Sequence, residues 1–555
     1  MTATAGRGVA PLAFLLLAAA LGAQTPADTA RPRPFDVLDY DLAVDLPDSG
    51  PVIEMSAVLV VRRRAPADTL WLDLRALRVH EVHAQGRTTA FARTPERVGI
   101  PLPPFAGRED TMRVSLRYGG AVTDGLVAQR DPRGRWTHFG DNWPDRARHW
   151  IASVDHPGDK ATVSWTVRAP STHTVVANGA LVERRPLEPR AGTTPRTVTR
   201  WREERPIPVY LMVIGAAPLV EHPLGEGACG LAELTRCVAQ SVYAFPEQAR
   251  TIPAAFQAAP RIVEHFARLV GPFPYEKLAH VQSATRFGGM ENASAIFYAG
   301  TAFVQQTLGE SLIAHETAHQ WFGDAVTERE WPHLWLSEGF ATYFALLWTE
   351  HAHGAAAFRE ERAALRRQIL EDRASVPERP VIDTVETDLL RLLNANSYQK
   401  GGFVLHMLRR QVGDSAFFRG IRAYYAAHRH GNATSDDLRA ALERSSGTDL
   451  RWYFDQWLRR PGHPQLAVRW SYDSTARRLV LDVRQERRFG FFRLPLVVAI
   501  EGGGTGAPVT ARATVEVPAE GESRLVMPID VEMRPTRVAL DPDVDLLAEL
   551  RITPR

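Results

Sequence analysis

The segment HETAH, near the middle of the chain, carries residue types that favour metal chemistry. His315 and His319 lie four residues apart in it. One turn of an α-helix places such residues on the same face, so both imidazole rings can reach a single ion. Zinc accepts imidazole nitrogen, takes a third protein ligand and keeps one position for water. Glu316 is the predicted general base, because a carboxylate beside the ligands can accept a proton from a zinc-activated water.

Glu338, in the segment WLSEGFA, is the predicted third ligand. The residues around it are apolar nearly all round, which indicates a buried helix. A lone carboxylate is costly to bury, and a bound metal ion would offset that cost. The alternative is a salt bridge from Glu338 to a nearby cation such as Arg329. We therefore expect one Zn²⁺ per chain, held by His315, His319 and Glu338.

A further acidic residue, Glu291, lies in FGGMENASAIFY, where almost every neighbour is apolar or small. A carboxylate in a partly dry cleft attracts an ammonium group strongly, because the local dielectric is low. The free α-amino group at the start of a peptide is such a group. Gly288 and Gly289 allow the backbone to run close to a substrate as an edge strand. The alternative is a β-turn with a solvated glutamate.

The elements that must position these residues divide into three regions. Alternation of apolar and polar residues, as in DVLDYDLAVDL, predicts an antiparallel β domain over residues 35–221. Helical periodicity then predicts a mainly helical catalytic domain over residues 222–463, with HETAH and Glu338 on its helices. Alternation returns from Gln465, so residues 464–555 are expected to form a small β-sandwich. The predicted fold class is multidomain α+β.

The composition and the first residues of the chain indicate which partners and which compartment to expect. The formal net charge of +2 gives no electrostatic argument for nucleic acid as a partner. Residues 1–23 read as a signal peptide, with one early charge at Arg7 and an apolar run too short to span a bilayer comfortably. The alternative is a short membrane anchor. We expect a periplasmic or secreted protein with no integral membrane segment after signal removal. In that compartment Cys229 and Cys237 are expected to form a disulfide, the alternative being two buried thiols.

The same segments resemble a known family. HETAHQWFGDAVT followed by WPHLWLSEGFATYFA is similar to the gluzincin zinc aminopeptidases of the aminopeptidase N and leukotriene hydrolase type. Their motif, HExxH followed by Glu after eighteen residues, maps onto His315, Glu316, His319 and Glu338. The resemblance continues through YDLAVDL, DHPGDKAT, FGGMENASAIFY, SYQKGGFVLHML and FDQWLRRPGHP. It implies a thermolysin-like catalytic domain that hydrolyses N-terminal residues from peptides.

The resemblance also implies substrate-binding roles for the Gly-x-Met-Glu-Asn segment. In this chain the segment comprises Gly288, Gly289, Met290, Glu291 and Asn292. It would lie along the substrate, with Glu291 receiving the α-amino group and Asn292 orienting either the substrate or Glu291. Fixing the amine near zinc leaves room for one residue, which makes the enzyme an exopeptidase acting on peptides with a free N-terminus.

A Tyr-x-Lys-Gly motif of the family matches Tyr398 to Gly401. It implies that the hydroxyl of Tyr398 stabilises the oxyanion of the tetrahedral intermediate. Without the resemblance, Tyr398 would be a packing residue, and Lys400 is interpreted as no more than a surface charge. Asp324 and Thr342 are candidates for orienting the metal ligands, which usually need such contacts.

Two features depart from the family pattern. Much of the family has Glu or Gln as a second anchor for the amine, where this chain has Trp143, so a neighbour such as Asn142 or Asp145 would have to replace it. Larger members continue into a helical domain that caps the active site, whereas this chain resembles a short bacterial-type member. We therefore expect rates that depend weakly on peptide length. The oligomeric state stays open.

Two other functions are alternatives to a zinc aminopeptidase. A thermolysin-like zinc endopeptidase shares HExxH and the distal glutamate, but the preceding β domain and the GGMEN segment argue against it. A catalytically inactive peptide-binding protein on the same scaffold is disfavoured because Glu316 and Tyr398 are both present.

Overall fold

The computed structural model of the chain describes residues 34–105, 107–189, 191–227, 237–371, 376–503, 509–529 and 534–555. The predicted signal peptide and Cys229 lie outside these ranges. Cys237 is disulfide-bonded, and the sequence holds only one other cysteine. Within the described ranges, no helix has both the length and the apolar character needed to cross a membrane.

The N-terminal region is built from three β-sheets. Its strands are β1 (Phe35–Asp45), β2 (Val52–Arg63), β3 (Thr69–Asp73), β4 (Arg78–Ala84), β5 (Arg87–Thr88), β6 (Ala92–Arg93), β7 (Arg97–Pro101), β8 (Asp110–Ala121), β9 (Leu126–Arg130), β10 (Trp136–Gly140), β11 (Lys160–Pro170), β12 (Thr174–Ala177), β13 (Ala180–Pro186), β14 (Arg196–Pro208) and β15 (Ile214–Ala217). The strand orders are β13-β14-β11-β1-β2-β8-β4-β5, β12-β15-β10-β9 and β3-β7-β6. The paired strands are antiparallel except for β1 and β11, which run parallel.

Alternation in the sequence explains how these sheets bury one face. In β2, every second residue from Ile53 to Val61 is buried, and the residues between them face outward or are half-buried. Successive side chains of a strand point to opposite faces, so this pattern produces one apolar surface. Beneath the eight-stranded sheet, Trp150 stacks on Trp165 at 5.5 Å between ring centroids. These fully buried rings anchor the core of the N-terminal region.

In its described residues, the middle region combines a small sheet with eight α-helices. Its strands are β16 (Val220–Gly227), β17 (Val238–Ala244), β18 (Lys277–Ser283), β19 (Gly289–Met290), β20 (Ala295–Ala299), β21 (Val326–Glu328) and β22 (Gly431–Ala433). Its helices are α1 (Ala259–Val270), α2 (Gly300–Gln305), α3 (Glu310–His319), α4 (Trp335–Glu371), α5 (Gly401–Val412), α6 (Asp414–His428), α7 (Ser435–Ser446) and α8 (Arg451–Phe454). The main sheet has the order β16-β17-β18-β20-β19, and β16 crosses the boundary expected between residues 221 and 222. Two π-helical turns, Asn396–Lys400 and Asp455–Arg459, interrupt the regular helices.

Two helices of this region set the position of the candidate site. Helix α3 is short and carries HETAH at its C-terminal end. Helix α4 begins just before Glu338, and its first half is buried on nearly all sides. Gly354 has φ 86°, a left-handed conformation that glycine adopts without cost, and it separates this buried half from the more exposed half that follows. The structure thus has the buried helix that the apolar residues around Glu338 predict, and this buried part ends at Gly354.

The C-terminal region is a small sandwich of two sheets. Its strands are β23 (Gln465–Asp473), β24 (Arg478–Gln485), β25 (Leu494–Gly503), β26 (Val509–Val517), β27 (Glu522–Pro528), β28 (Arg534–Leu540) and β29 (Glu549–Pro554). The orders are β27-β24-β23-β29 and β26-β25-β28. Together with the β-rich N-terminal region and the helical middle, this confirms the predicted multidomain α+β fold.

A half-buried lysine joins the N-terminal and middle regions just behind helix α3. Lys160, at the start of β11, donates hydrogen bonds from Nζ to the carbonyl oxygens of Asp324, Ala325 and Gly431 at 2.8, 3.0 and 3.1 Å. Burial lowers the pKa of Lys160 to about 7, and the nearby carboxylates of Asp324 and Glu328 oppose that change.

Lys160 should change how the free energy of unfolding depends on pH. An unfolded lysine titrates near ~10.4, so between pH 7 and that value the unfolded chain binds a proton that folded Lys160 has released. The wild type should therefore gain stability relative to Lys160→Met as the pH rises. We expect a gain of about 2 kcal/mol between pH 7 and 9 in equilibrium urea unfolding. Parallel curves for the two proteins would contradict the shifted pKa.

Candidate metal centre and substrate cleft

The three predicted metal ligands converge on one point between α3 and α4. His315 Nε2 lies 3.2 Å from His319 Nε2. Glu338 Oε2 lies 3.3 Å from His315 Nε2 and 3.4 Å from His319 Nε2. His319 and Glu338 are buried, and His315 is largely so. Glu338 therefore faces the histidines, and within the described residues no ion pair joins it to Arg329.

The arrangement of these atoms fits a zinc ion. Ligands at roughly 2.0–2.1 Å from a tetrahedral centre are separated from one another by roughly 3.3–3.4 Å. The three observed separations, 3.2, 3.3 and 3.4 Å, match such a triangle. In addition, the buried Oε2 atom of Glu338 accepts no hydrogen bond of regular geometry. Two imidazole nitrogens and one carboxylate are also a common donor set for catalytic zinc.

The electrostatic balance of the site favours a cation. Burial raises the pKa of Glu316 well above its ordinary value and that of Glu291 to about 7. Burial opposes ionisation of Glu338 as well, but His319 and His315 lower its pKa to about 2. For His319, burial lowers the pKa, yet the carboxylates of Glu291 and Glu338 outweigh it and raise the pKa well above the usual range. The protein thus concentrates three carboxylates where water solvates them poorly.

The contacts that orient His319 differ from those expected. Its Nδ1 atom lies 3.0 Å from Ser337 Oγ and 3.2 Å from the carbonyl oxygen of Phe322. Asp324 instead accepts a hydrogen bond from Gln320 at 2.8 Å, and Thr342 packs against Gly402. Neither of these two candidates forms a described side-chain hydrogen bond to a ligand side chain, whereas Ser337, adjacent to Glu338 in sequence, does. A serine beside a helical glutamate carries no sequence signal that would reveal this role.

The side chain of Glu316 faces the backbone of the substrate segment. A Cβ atom added to Gly289 would lie 2.3 Å from Glu316 Oε1, whereas nothing lies within 4 Å of the equivalent point at Gly288. Gly289 is therefore required for the close approach of β19 to the predicted base. Strand β19 is the edge of the five-stranded sheet, as the sequence predicts for this segment.

Glu291 is buried just beyond this edge strand, close to the metal ligands. Oxygen or nitrogen atoms of Glu291, Glu316 and His319 lie within 4.8 Å of one another. Gln320, the residue after HETAH, holds this segment by donating to the carbonyl of Glu291 at 2.8 Å and accepting from the backbone amide of Ser294 at 2.7 Å. No local sequence pattern marks Gln320 for this role. Its two hydrogen bonds fix the acid relative to the ligand helix.

Tyr398 reaches the site from the first π-helical turn. Its ring stacks on that of His315, at 6.0 Å between centroids and 9° between planes, and its hydroxyl lies within hydrogen-bonding reach of Glu338. Burial, followed by the nearby carboxylates, raises the pKa of Tyr398 well above 10, so the hydroxyl keeps its proton to donate. The turn can come this close because Gly339 and Gly401 touch, a Cβ at Gly401 lying only 3.1 Å from Gly339 Cα.

Lys400 differs from its interpretation as a surface charge. It is 2% exposed, and its Nζ atom donates to the carbonyl oxygen of Gly462 at 2.8 Å.

Asn292 is likewise fully buried, and neither its Oδ1 nor its Nδ2 atom forms a described hydrogen bond. It does not line the cleft.

Apolar side chains form part of the wall of the cleft. The cleft is partly open to solvent, has a volume of about 380 Å³ and is lined by Trp143, Phe287, Gly289, Met290, Glu291, His315, Glu316, His319, Glu338, Leu393 and Tyr398. Trp143 packs edge-to-face against Phe287 at 6.0 Å and Trp331 at 5.6 Å. The side-chain amide of Asn142 donates a hydrogen bond to the carbonyl oxygen of Met212 and accepts one from the indole of Trp150. Asp145 forms an ion pair with Arg148. Neither residue replaces the second amine anchor.

Comparison with known families matches two regions of the chain. A model of the peptidase family M1 domain matches residues 255–457, and a model of the peptidase M1 N-terminal domain matches residues 38–211. The first match contains every residue that lines the cleft except Trp143, which falls in the second.

Comparison with individual proteins gives the same picture. Aminopeptidase N of Streptomyces lividans is 27% identical over 510 residues, which cover 86% of this chain and 54% of that protein. The chain spans about half the length of the curated relatives it matches. The crystal structure of an M1 zinc metallopeptidase from Deinococcus radiodurans is 25% identical with a TM-score of 0.66, covering 77% of this chain and 93% of that one. Legionella pneumophila aminopeptidase A shares the fold, with a TM-score of 0.80 and 18% identity over 95% of this chain and 61% of that one.

Removing the hydroxyl that orients His319 should weaken metal binding. Ser337→Ala deletes the 3.0 Å contact to Nδ1 while leaving all three ligands in place. We expect the dissociation constant for Zn²⁺, measured by competition with a chromogenic chelator, to rise about 10- to 100-fold. Thr342→Ala is the matched control on the same helix and should leave the affinity unchanged. Equal affinities for wild type and Ser337→Ala would refute this role.

Proposed function

Because the chain belongs to the M1 peptidase family, we propose that it is a zinc-dependent aminopeptidase that removes N-terminal residues from peptides. The observation that carries the proposal is the position of Glu291. Its carboxylate is 6% exposed and lies beside a three-ligand centre that has room for one ion. A buried carboxylate gains most from a group that brings a positive charge and hydrogen-bond donors, and the α-ammonium of a peptide brings both.

The residues around this centre divide the chemistry of hydrolysis among them. Zinc would act as a Lewis acid that polarises the scissile carbonyl and activates water. Glu316 accepts the proton of the attacking water and delivers it to the leaving amine. Tyr398 donates a hydrogen bond to the oxyanion, from a hydroxyl fixed by the turn that carries it.

The same geometry favours an exopeptidase over an endopeptidase. Glu291 and Glu316 lie close together beside the ligands, with atoms within 4.8 Å of each other and of His319. An ammonium held at Glu291 therefore leaves space for a single residue before the scissile bond. An internal segment or an acetylated end brings no charge to this acid, so it would leave a buried carboxylate without compensation.

The lining of the cleft supports a large apolar first residue as the preferred substrate. Trp143, Phe287, Met290 and Leu393 supply apolar surface. Apart from the two histidine ligands, the described lining contains no basic side chain that would attract an acidic residue. A variant of the Deinococcus radiodurans peptidase has been solved with a Tyr-Ser-Ala substrate. A first residue of that size and character suits the apolar wall here.

Export to the periplasm or the medium is also part of the proposal. It rests on the residue pattern of positions 1–23 and on the disulfide-bonded state of Cys237, which is typical of oxidising compartments. The processed N-terminus and the compartment of the protein are the measurements that decide it.

Loss of the charge at Glu291 should abolish the preference for a free N-terminus. Wild-type enzyme is expected to hydrolyse an unblocked peptide and to leave its N-acetylated form intact. Glu291→Gln should lower kcat/KM for the free peptide about 30-fold or more, because removing one partner of a buried charged pair costs about 2 kcal/mol or more. Glu316→Gln is the control, expected to retain zinc and lose turnover of every substrate. Efficient cleavage of the acetylated peptide by wild type would establish an endopeptidase instead.

Trp143 should determine which first residue is accepted. We expect kcat/KM for phenylalanyl and leucyl amides to exceed that for the alanyl amide by about 10-fold or more, and glutamyl amide to be poorest. Trp143→Ala should cut the first two values about 10-fold and change the alanyl value little. Trp71→Ala, which removes a half-exposed tryptophan on β3, is the control. An unchanged ranking in Trp143→Ala would contradict this assignment.

A further inference from the structure

The buried position of Lys400 calls for an explanation beyond packing. Its ammonium group donates to one carbonyl oxygen, that of Gly462, at 2.8 Å. Among the described residues no carboxylate lies within ion-pair distance of it, and burial lowers its pKa to about 7. An ammonium group that is desolvated without a counter-charge costs stability, so a neutral apolar residue would suit a purely packing role better.

The acceptor of this hydrogen bond is held by the C-terminal sandwich. Gly462 has φ +78°, and a Cβ atom there would lie 1.9 Å from the ring of Phe489. The neighbouring Arg460 donates to the carbonyl oxygens of Phe489 and Phe491 at 3.3 and 3.2 Å. His463, on the other side, lies 2.9 Å from Glu549 Oε1. The carbonyl of Gly462 is thus fixed relative to the sandwich.

The donor belongs to the same turn as Tyr398. The π-helical turn Asn396–Lys400 carries both residues, and they leave it on different sides. Tyr398 stacks on His315 in the cleft, whereas Lys400 reaches the inter-domain junction. Further hydrogen bonds hold the start of the turn, from Ser397 Oγ to Leu392 O at 2.7 Å and from Asn396 Nδ2 to Arg379 O at 2.9 Å. Lys400 is the fixing point at its end.

We propose that Lys400 is a positioning residue, whose hydrogen bond to Gly462 ties the tyrosine turn to the C-terminal sandwich and so sets the place of the Tyr398 hydroxyl. This inference rests on the proposed function, in which that hydroxyl stabilises the oxyanion. A donor for a developing charge must sit within about 0.3 Å of its ideal distance, and displacement by about 1 Å can cost 100-fold in rate. The C-terminal sandwich then contributes to catalysis without reaching the cleft.

A double-mutant cycle separates this role from general stabilisation. Tyr398→Phe should lower kcat about 100-fold with little change in KM, and Lys400→Met about 10-fold or more. If Lys400 acts only through the tyrosine, the double variant should be no slower than Tyr398→Phe alone. Lys400→Gln keeps a donor for the Gly462 carbonyl and should recover part of the rate.

Lys160→Met supplies the matched control, since Lys160 is a half-buried lysine that likewise donates to carbonyls across a domain junction. Whatever its own effect, it should combine multiplicatively with Tyr398→Phe. Multiplicative effects of Lys400→Met and Tyr398→Phe would overturn the proposal and leave Lys400 a stabilising residue.

A second readout does not depend on turnover. The ¹⁹F resonance of 3-fluorotyrosine at position 398 should shift or broaden in Lys400→Met, in zinc-free as well as zinc-loaded protein, and stay in place in Lys160→Met. An unchanged resonance would also overturn the proposal. If Tyr398→Phe alone keeps full activity, the role of the tyrosine in the proposed function fails, and the resonance still decides whether Lys400 positions the turn.

Discussion

The structure depends on one electrostatic constraint, the burial of several carboxylates in a cleft that water reaches poorly. Glu291, Glu316 and Glu338 surround two histidines, and each carboxylate is 6% exposed or less. The protein supplies no lysine or arginine among the residues lining the described cleft. Apart from the histidines, positive charge has to come from outside the chain, and the proposed function supplies it as a metal ion between the three ligands and as the ammonium of a substrate at Glu291. In that proposal, the lack of a lysine or arginine counter-charge in the cleft is what makes the site selective.

Bringing these acids together requires backbones that approach one another closely, and glycine makes the approaches possible. Gly289 lets the edge strand pass against the carboxylate of Glu316, and the contact of Gly339 with Gly401 lets the tyrosine turn pass against α4. Larger side chains at these points would push apart elements that are far apart in sequence. The spacing of glycines in GGMEN and YQKGG thus reflects packing between elements as much as local conformation.

Much of this could be predicted from the sequence, because the informative patterns are local. The spacing of His315 and His319 follows from the pitch of one helix, and alternation fixes which face of β2 is buried. The contacts of Ser337, Gln320 and Lys400 could not be predicted in this way. Each depends on which distant backbone atom lies opposite, as with Lys400 and Gly462, 62 residues apart. A lysine on a glycine-rich helix start carries no local sign that it will be buried.

Lysines at the domain junctions show a further consequence of the same constraint. Lys160 and Lys277 are half-buried and Lys400 is buried, and each donates to backbone carbonyl oxygens. Lys160 and Lys277 bond across to the neighbouring domain, at Asp324 and Ala177, and Lys400 bonds to Gly462 at the start of the C-terminal junction. A carbonyl accepts a hydrogen bond at any pH and carries no net charge, so these bonds fix the domains without consuming a carboxylate. Had the lysines formed close ion pairs with the acids of the cleft, they would have neutralised the charge that holds the metal and the substrate. Joining the domains through carbonyls keeps the structure rigid and the cleft negative, and both properties are needed for a buried acid to select a chain end.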